Sequence, residues 1–284
     1  MSGTVKVAAL QMRSSTSLTR NIADFEALVR EAAGKGATYV QSPEMTGALV
    51  RDRDSLRAMI TSDDKDALVA RAGELAAELG IVVHVGSTAI ARPDGKVANR
   101  AFVFGPDGAR LATYDKIHMF DVDLDKGESW RESATYEPGR VSTVVDLPFG
   151  RVGLAVCYDL RFPQLFRAQA LAGASVLTVP AAFTRQTGEA HWHVLIRARA
   201  IENGAFVIAA AQGGRHEDGR ETYGHSLIVD PWGKVLAEAD GAEPGVVLAE
   251  IDLAASAAAR GKVPNLKNAR DFTIADGAGL ANAS

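Results

Sequence analysis

Along most of the chain, hydrophobic and polar residues alternate with a period of two residues, as in strands, or of 3.6 residues, as in helices. Residues 4–12 (TVKVAALQM) alternate as in a strand, whereas Ile22, Phe25 and Val29 recur at helical spacing up to Gly34. The same patterns predict further strands at 38–41, 81–90, 141–147, 151–156, 175–179, 205–211, 223–229, 234–239 and 245–251. They predict further helices at 63–79, capped by Ser62, at 162–171 and at 188–203. Because helices and strands alternate, the pattern indicates an α/β fold with a mixed sheet.

Turn signals and composition along the chain indicate how the elements are connected. Two Pro-Asp-Gly segments, at 93–95 and 106–108, lie between β-rich stretches and predict hairpin turns. Neither a linker composition nor an internal repeat interrupts the chain, so we expect a single domain over residues 1–284. The polar end of the chain, rich in Gly and Ala, predicts a C-terminal arm or tail at 260–284.

Composition and charge narrow the class of protein. With 47% hydrophobic and 23% charged residues the chain can bury a large core, and a net charge of −4 offers no basic surface to nucleic acid or an anionic membrane. No apolar run reaches the roughly 20 residues that span a bilayer. The N-terminus lacks a secretion pattern and the single cysteine allows no intramolecular disulfide, so we expect a cytoplasmic protein.

Cys157 is the first candidate for chemistry. It ends the apolar run RVGLAVC, and the segment YDLRFPQLFRAQAL after it soon becomes helical. A strand that leads into a sharp turn before a helix is typical of a nucleophile elbow, where backbone N–H groups favour a thiolate and can hold an oxyanion. A buried cysteine with a purely structural role would give the same pattern.

Glu44 and Lys116 are candidates for the charged groups that a thiol nucleophile needs. Glu44 follows the predicted strand at 38–41, and Lys116 follows the strand-like segment LATY. Considered alone, a glutamate or lysine in such a place is more commonly an exposed surface charge. Both residues, however, share one feature with Cys157. All three lie just beyond the C-terminal end of a predicted strand, the edge at which open α/β sheets usually place their sites.

Five segments together resemble the nitrilase superfamily of carbon–nitrogen hydrolases. They are, in chain order, SPEMTG around Glu44, YDKIHMFDVD around Lys116, VGLAVCYDLRFP around Cys157, PAAFTRQTGEAHWHVLIRARAIENGAFVIAAAQGG and YGHSLIVDPWG. The similarity extends from about residue 4 to residue 255. It implies a four-layer αββα sandwich and pairing through the outer helices into a homodimer or a higher homo-oligomer.

The resemblance also implies a role for each matching residue. Glu44 would be the general base that takes the proton of Cys157, whose sulfur would attack the carbonyl carbon and form a thioester. Lys116 would remain cationic and stabilise the oxyanion together with the backbone N–H of Tyr158. Glu132, in WRESATYEPG, would orient the lysine and the substrate nitrogen. A loop residue at the surface is the other interpretation of this glutamate.

Within the superfamily the chain most resembles the Nit-type amidases, which implies a small-molecule amide as substrate, such as deaminated glutathione or another 2-oxo acid amide. Arg161 is the candidate for holding a substrate carboxylate because a guanidinium can bind it with two hydrogen bonds. An ion pair with Asp159 is equally compatible with the sequence. The other candidates for contact with the substrate are Phe183, Thr184, His191 and Trp192. The histidine and tryptophan among them could equally be cap and core residues.

The sequence predicts neither a metal nor a cofactor. The six histidines, at 84, 118, 191, 193, 216 and 225, show no metal-ligand spacing, and no phosphate-binding glycine motif is present. His225 is expected in a strand with a structural role. Two alternative functions stay open: an omega-amidase, N-carbamoyl amidase, aliphatic amidase or nitrilase of the same superfamily, or a non-catalytic interaction scaffold. A scaffold would need none of Glu44, Lys116 and Cys157.

Overall fold

The computed structural model describes residues 4–124 and 129–274. Its strands are β1 (Thr4–Gln11), β2 (Tyr39–Gln41), β3 (Val82–Ala91), β4 (Val97–Phe104), β5 (Arg110–Asp115), β6 (Asp121–Asp123), β7 (Ser129–Arg131), β8 (Thr143–Leu147), β9 (Gly150–Leu154), β10 (Val176–Thr178), β11 (Phe206–Ala209), β12 (Gly213–Arg215), β13 (Glu221–Tyr223), β14 (Leu227–Val229), β15 (Val235–Glu238) and β16 (Gly245–Asp252). Its helices are α1 (Leu18–Gly34), α2 (Arg53–Met59), α3 (Ala67–Leu79), α4 (Pro163–Leu171), α5 (Arg185–Asn203) and α6 (Ala254–Lys262). Most of the strands form two six-stranded sheets, in the orders β16-β1-β2-β3-β4-β5 and β15-β14-β11-β10-β9-β8.

The two sheets pack face to face, and each carries helices on its other face. Alternation along β1 shows the first half of this arrangement: Val7 and Ala9 belong to the core shared with the second sheet, whereas Ala8 and Leu10 pack with Phe25 of α1. Buried residues of α4 and α5 pack against the second sheet. The layers are therefore helix, sheet, sheet and helix, which confirms the expected αββα sandwich.

The start of one helix and the presence of a short helix differ from the sequence prediction. Helix α3 begins at Ala67 because the side chain of Asp66 accepts a hydrogen bond from the backbone N–H of Val69 at 3.0 Å, so the predicted cap at Ser62 is wrong. The short helix α2 was not predicted. It has seven residues and buries only Leu56, which is too little for a helical period to be visible.

His225 also lies in a different local structure from the predicted one. Strand β14 begins only at Leu227, and His225 has the left-handed backbone angle φ 55°. The two predicted hairpins are confirmed, since β3 pairs with β4 and β4 with β5 in antiparallel register.

Helix α6 attaches the end of the described chain to the end of α5 and to the loop before β10. The guanidinium of Arg260 donates to the carbonyl oxygens of Asn203 and Ala174, at 3.0 and 2.6 Å. The predicted arm at 260–284 thus starts within a packed helix, and residues 275–284 lie outside the described residues. None of the described helices combines the length and the apolar character that crossing a bilayer requires.

Parallel pairing brings the candidate residues to one edge of the sandwich. Strands β1, β2 and β3 run parallel, as do β9, β10 and β11, so the loops after β2 and β9 leave at the C-terminal edges of their sheets. Glu44 lies in the first loop, Cys157 in the second, and Lys116 directly follows β5. The backbone N–H of Ala182, which follows β10, reaches across and donates to Oε2 of Glu44 at 2.9 Å.

Candidate active site

A cavity of about 650 Å³ opens where these loops meet. Its wall includes Glu44, Lys116, Glu132 and Cys157, the four residues that the sequence predicts to be catalytic. A volume of this size is typical of sites for small molecules. Among the described residues, the one cluster of histidine and acidic side chains that lie close enough together to bind a metal ion is outside this cavity.

Glu44 is held rigidly by hydrogen bonds to both of its carboxylate oxygens. Oε1 accepts from Nζ of Lys116 at 2.8 Å and from Nδ2 of Asn99 at 2.9 Å, and Oε2 accepts from the backbone N–H of Ala182 at 2.9 Å. Only 6% of the side chain is exposed. Each contact favours the ionised carboxylate, the form that can take a proton.

The loop that carries Glu44 lies directly against β3. At Gly86 a Cβ atom would overlap the carbonyl oxygens of Ser42 and Pro43 and the ring of Pro180. The register of β3 against β4 shifts at this position, as expected of a bulge. Gly86 therefore permits a close approach of backbones that fixes the position of the glutamate.

Lys116 lies between two carboxylates. Its Nζ contacts Oε1 of Glu44 at 2.8 Å and the two oxygens of Glu132 at 3.0 and 2.9 Å. Oε2 of Glu132 also accepts from the backbone N–H of Phe120 at 2.7 Å, and Oε1 from Asn99 at 3.2 Å. With 2% of its side chain exposed, Lys116 has no freedom to leave this position.

Cys157 lies at the sharp turn between β9 and α4. Its φ is 48°, a left-handed angle that a non-glycine residue adopts only at some energetic cost. The backbone N–H of Cys157 donates to the carbonyl oxygen of Pro180 at 2.9 Å, and a 3-10 turn at Cys157–Arg161 starts at the same residue. The predicted elbow is therefore present. The backbone N–H of Tyr158 lies in this first turn, where N–H groups have no carbonyl acceptor within the helix itself.

Asp159 stabilises the elbow from within and was not predicted to do so. Its side chain is fully buried, and Oδ2 accepts from the backbone N–H of Val156 at 2.8 Å and from the hydroxyl of Tyr114 at 2.7 Å. Oδ1 accepts from the backbone N–H of His118 at 3.1 Å and lies 2.6 Å from Nδ1 of the same residue. One carboxylate thus ties the Cys157 turn to the strand and loop around Lys116.

Burial and charge determine the protonation states of the three central groups. Burial opposes the charge on Glu44, but the Coulomb attraction and hydrogen bond of Lys116 outweigh it, so the pKa of Glu44 is lowered. Burial likewise opposes the charge on Lys116, but Glu132 and Glu44 raise its pKa well above 10.5. Burial and then Glu44 raise the pKa of Cys157 well above 9.0. The resting site therefore contains a neutral thiol beside a carboxylate, rather than the thiolate that the elbow motif suggests.

The candidates for substrate contact fall into two groups. Phe183 and Thr184 line the cavity. Trp192 is fully buried, packs on Phe183 with ring centres 5.2 Å apart, and donates from Nε1 to the carbonyl oxygen of His225 at 2.9 Å. His191 is exposed and lies 3.3 Å from a guanidinium nitrogen of Arg161.

Arg161 is not on the cavity wall, which differs from the sequence prediction. Its guanidinium lies over the ring of Phe183, 5.3 Å from the ring centre. The alternative pairing with Asp159 is also not formed, since that carboxylate is occupied by Tyr114 and His118. The turn directs Arg161 toward α5, a feature that closeness to Cys157 in sequence does not reveal.

The cavity wall contains arginines that the sequence did not single out. They are Arg51, Arg53, Arg131 and Arg220. The guanidiniums of Arg51 and Arg220 lie over the ring of Trp130, 4.9 and 5.1 Å from its centre. Arg220 is paired with Asp218 at 2.7 Å, and Arg131 with Asp123 at 2.8 Å. Glu221 lines the same cavity, so this wall, which we call the arginine wall, offers an anionic group chiefly Arg51 and Arg53.

Comparison with known proteins agrees with this geometry. Residues 6–261 match the family model described as carbon-nitrogen hydrolase. The chain is 40% identical over 268 residues to a protein of Synechocystis sp. named deaminated glutathione amidase, covering 92% of this chain and 96% of that protein. It is 42% identical over 253 residues to the human protein of the same name, covering 87% of this chain and 76% of the other.

Solved structures share the fold. The C. elegans NitFhit protein aligns with a TM-score of 0.88 and 34% identity over 94% of this chain, which corresponds to 65% of that protein. A glutamate-to-glutamine variant of an amidase from Nesterenkonia sp. AN1 aligns with a TM-score of 0.77 and 25% identity, over 94% of both chains. That structure contains the acetamide moiety of fluoroacetamide attached to the active-site cysteine. The chain therefore belongs to the carbon–nitrogen hydrolase family of the nitrilase superfamily, and it is an amidase.

Proposed function

We propose that this amidase works through a Glu44–Lys116–Cys157 triad. The observation that carries the proposal is the contact of one buried carboxylate, Glu44, with both a buried ammonium and the only cysteine of the chain. A neutral thiol beside an ionised carboxylate is a nucleophile paired with its base.

In the first half-reaction the proton of Cys157 moves to Glu44 while the sulfur bonds to the amide carbon. The carbonyl oxygen becomes an oxyanion, which the ammonium of Lys116 and the backbone N–H of Tyr158 stabilise. Glu44 then gives its proton to the amide nitrogen as the C–N bond breaks. The amine leaves, and a thioester of Cys157 remains.

In the second half-reaction water attacks the thioester. Glu44 takes one proton from the water as the C–O bond forms, and the same two donors hold the new oxyanion. The C–S bond then breaks and the sulfur recovers the proton from Glu44, which releases the carboxylic acid. The enzyme returns to its starting state, so the cycle consumes only the amide and one water.

Glu132 and Asn99 position the charged groups in this scheme. Glu132 contacts Lys116 through both oxygens, and Asn99 donates to both Glu44 and Glu132. Together they hold the ammonium where its charge acts on Cys157. We assign both residues positioning roles, with Glu132 also able to accept a hydrogen bond from the substrate nitrogen.

For the substrate we propose deaminated glutathione or a related 2-oxo acid amide. The support is the name of the curated relatives and the arginine wall. Deaminated glutathione has a carboxylate at each end and its scissile amide between them, so it suits a cavity with a buried triad and several guanidiniums. An N-carbamoyl compound, a neutral aliphatic amide or a nitrile would make less use of these charges.

A substrate panel tests both parts of the proposal. We expect wild-type protein to release Cys-Gly from deaminated glutathione faster than ammonia from 2-oxoglutaramate or from a neutral amide, and Cys157→Ala to release neither product. Mass analysis of a peptide digest of wild-type protein, quenched in acid during turnover, should show an acyl group on the peptide that contains Cys157. Turnover of a carbamoyl compound alone would overturn the substrate assignment. Activity retained by Cys157→Ala would overturn the mechanism.

We further propose that the chain forms a homodimer through α4 and α5, in the cytoplasm. Three large apolar side chains on these helices are more than half exposed: Leu171, Val194 and Ile201. Burying them against a second copy would remove this apolar surface from water. Sedimentation analysis should give a dimer for wild type and a monomer for Ile201→Glu, whereas Leu111→Glu on β5 serves as the matched control and should remain dimeric.

A further inference from the structure

His193, His225 and Glu238 converge outside the active-site cavity. Nε2 of His193 lies 2.8 Å and Nδ1 of His225 lies 2.7 Å from the same oxygen, Oε1 of Glu238. One ligand atom from each residue, two imidazole nitrogens and a carboxylate oxygen, lies within 4.8 Å of the others. None of the three residues lines the cavity, and each side chain is only about one third exposed, at 32%, 27% and 32%.

The three side chains come from separate elements that are fixed by other contacts. His193 is in the interior of helix α5, and Glu238 ends strand β15. His225 is held in its left-handed conformation by backbone bonds: its carbonyl oxygen accepts from Trp192, and its N–H donates to the carbonyl oxygen of Gly241 at 3.2 Å. The cluster is therefore assembled before any ligand arrives, which lowers the entropic cost of binding one.

An aromatic side chain restricts the imidazoles further. Tyr223 stacks on the ring of His225 with centres 4.4 Å apart and meets the ring of His193 edge-on at 5.8 Å. A carboxylate oxygen thus faces two imidazoles whose orientations are set by their neighbours.

We propose that His193, His225 and Glu238 form a binding site for a divalent transition-metal ion of the Zn²⁺ type. Two imidazole nitrogens and a carboxylate are borderline and hard ligands that suit Zn²⁺, Ni²⁺ or Cu²⁺, whereas Mg²⁺ and Ca²⁺ prefer oxygen ligands. Three protein ligands leave a fourth tetrahedral position to water or to another group. The ligand distances of about 2.0–2.2 Å for Zn²⁺ require only small rotations of side chains that already lie this close together.

Coordination requires a free lone pair on each ring nitrogen that contacts the metal. In the metal-free site the nitrogens that face Glu238 donate to its oxygen, so they carry the protons. In the bound site the proton of each ring moves to its other nitrogen through solvent, and the metal takes the freed lone pair.

Equilibrium dialysis with Zn²⁺ followed by metal analysis tests the proposal. The measurement is made on Cys157→Ala, which removes the active-site thiol as an alternative ligand without touching the cluster. We expect one zinc per chain, and an affinity reduced at least about tenfold in His193→Gln and in Glu238→Gln, since even loss of an outer contact to a metal ligand typically costs roughly 10–100-fold. His191→Gln, an exposed histidine two residues away on the same helix, should bind as tightly as the parent.

Two further readouts separate a metal site from a plain hydrogen-bonded cluster. Zinc should raise the melting temperature of the parent but not of His193→Gln, because a ligand that binds only the folded state stabilises it. Co²⁺ should give the visible absorption of a coordinated ion in the parent alone. Equal zinc binding by parent and His193→Gln, or no stoichiometric binding by the parent, would overturn the proposal. Because none of these measurements uses amide hydrolysis, the result is independent of the proposed function.

Discussion

Nζ of Lys116 lies 2.8 Å from Oε1 of Glu44, and neither side chain has more than 6% of its surface exposed. The same ammonium is 2.9 Å from Glu132, so a single buried cation balances two carboxylates. An arrangement of this kind is costly to break because each group has lost its hydration. The charges that we propose to be catalytic are therefore also structural charges, and their removal should affect stability and activity in different ways.

Lys116→Met tests how much the buried ammonium contributes to stability. The substitution leaves Glu44 and Glu132 buried without their cation, and we expect it to lower the free energy of unfolding by about 3–5 kcal/mol. The double variant Lys116→Met with Glu44→Gln should recover part of this loss, because one of the two unpaired charges is gone. Urea denaturation followed by circular dichroism measures both. A double variant less stable than the sum of the two single losses would contradict a direct interaction.

Glu44→Gln tests the proposed role of the carboxylate as general base. Glutamine keeps the size of the side chain and can still accept from Lys116, but it cannot take the thiol proton. We expect kcat to fall about 10²–10⁴-fold, the usual contribution of a general base, with a much smaller change in KM. Steady-state kinetics on the best substrate of the panel gives both values. As matched control, Glu31→Gln on the exposed surface of α1, where the glutamate pairs with Lys35, should leave kcat unchanged.

The pKa directions predict a broad pH optimum. The pKa of Glu44 lies below 4.5, that of Cys157 well above 9.0 and that of Lys116 well above 10.5. All three groups therefore keep their working protonation states from about pH 5 to pH 9. We expect kcat/KM to be nearly constant over this range. A half-maximal rate near pH 7 would contradict the assignment of these protonation states.

The same shifts predict how stability depends on pH. The lowered pKa of Glu44 contributes stability that is present above 4.5 and is lost as pH falls through the folded-state value. The raised pKa of Lys116 contributes stability that is present below 10.5 and is lost as pH rises through its folded-state value. In the variant with Lys116→Met and Glu44→Gln both dependences should weaken, which denaturation at a series of pH values can measure.

Asp159→Asn tests whether the hydrogen bonds of the Asp159 carboxylate hold the Cys157 elbow in place. In the variant, the NH₂ group of asparagine would face the N–H and O–H groups that donate to Asp159 in the wild type. We therefore expect a loss of about 1–3 kcal/mol in the free energy of unfolding. A small displacement of the thiol should also reduce kcat about 10–100-fold while KM changes little. Asp146→Asn, which breaks an exposed ion pair with Arg151, is the control and should change neither quantity. Unchanged kcat in Asp159→Asn would show that these hydrogen bonds do not position Cys157.

Part of the fold could be predicted from the sequence because its signals are local. Periods of two and 3.6 residues indicated an α/β fold, and Glu44, Lys116 and Cys157 each follow a strand that ends shortly before them. The four layers and the proposed roles of these three residues were implied by the resemblance to the nitrilase superfamily. Helix α2 was missed because one buried residue makes no period. The helix start at Cys157 can favour a thiolate, but burial and Glu44 raise the pKa of this thiol, and neither effect is visible in the sequence.

The residues that the sequence could not reveal act through distant contacts. Asn99 lies in the middle of β4, where its bonds to Glu44 and Glu132 span 55 and 33 residues. The cluster of His193 and Glu238 spans 45 residues, so no local spacing could show it. Arg161 illustrates the opposite case: it is close to Cys157 along the chain, yet the turn directs it to Phe183 and His191.

The last prediction compares Arg51, which the structure places on the arginine wall, with Arg161, which the sequence suggested as the substrate-binding arginine. Arg51 lines the cavity and stacks on Trp130, whereas Arg161 does not line it. For an anionic amide we therefore expect Arg51→Gln to raise KM about tenfold or more, since a hydrogen bond to a charged group typically contributes about 1.5–3 kcal/mol. For a neutral amide of similar size KM should not change, and added salt should weaken only the binding of the anionic substrate. Arg161→Gln is the matched control and should leave KM for both substrates close to the wild-type value. If Arg161→Gln alone raised KM for the anionic amide, the carboxylate would bind at the elbow, and the arginine wall would have no part in selecting the substrate.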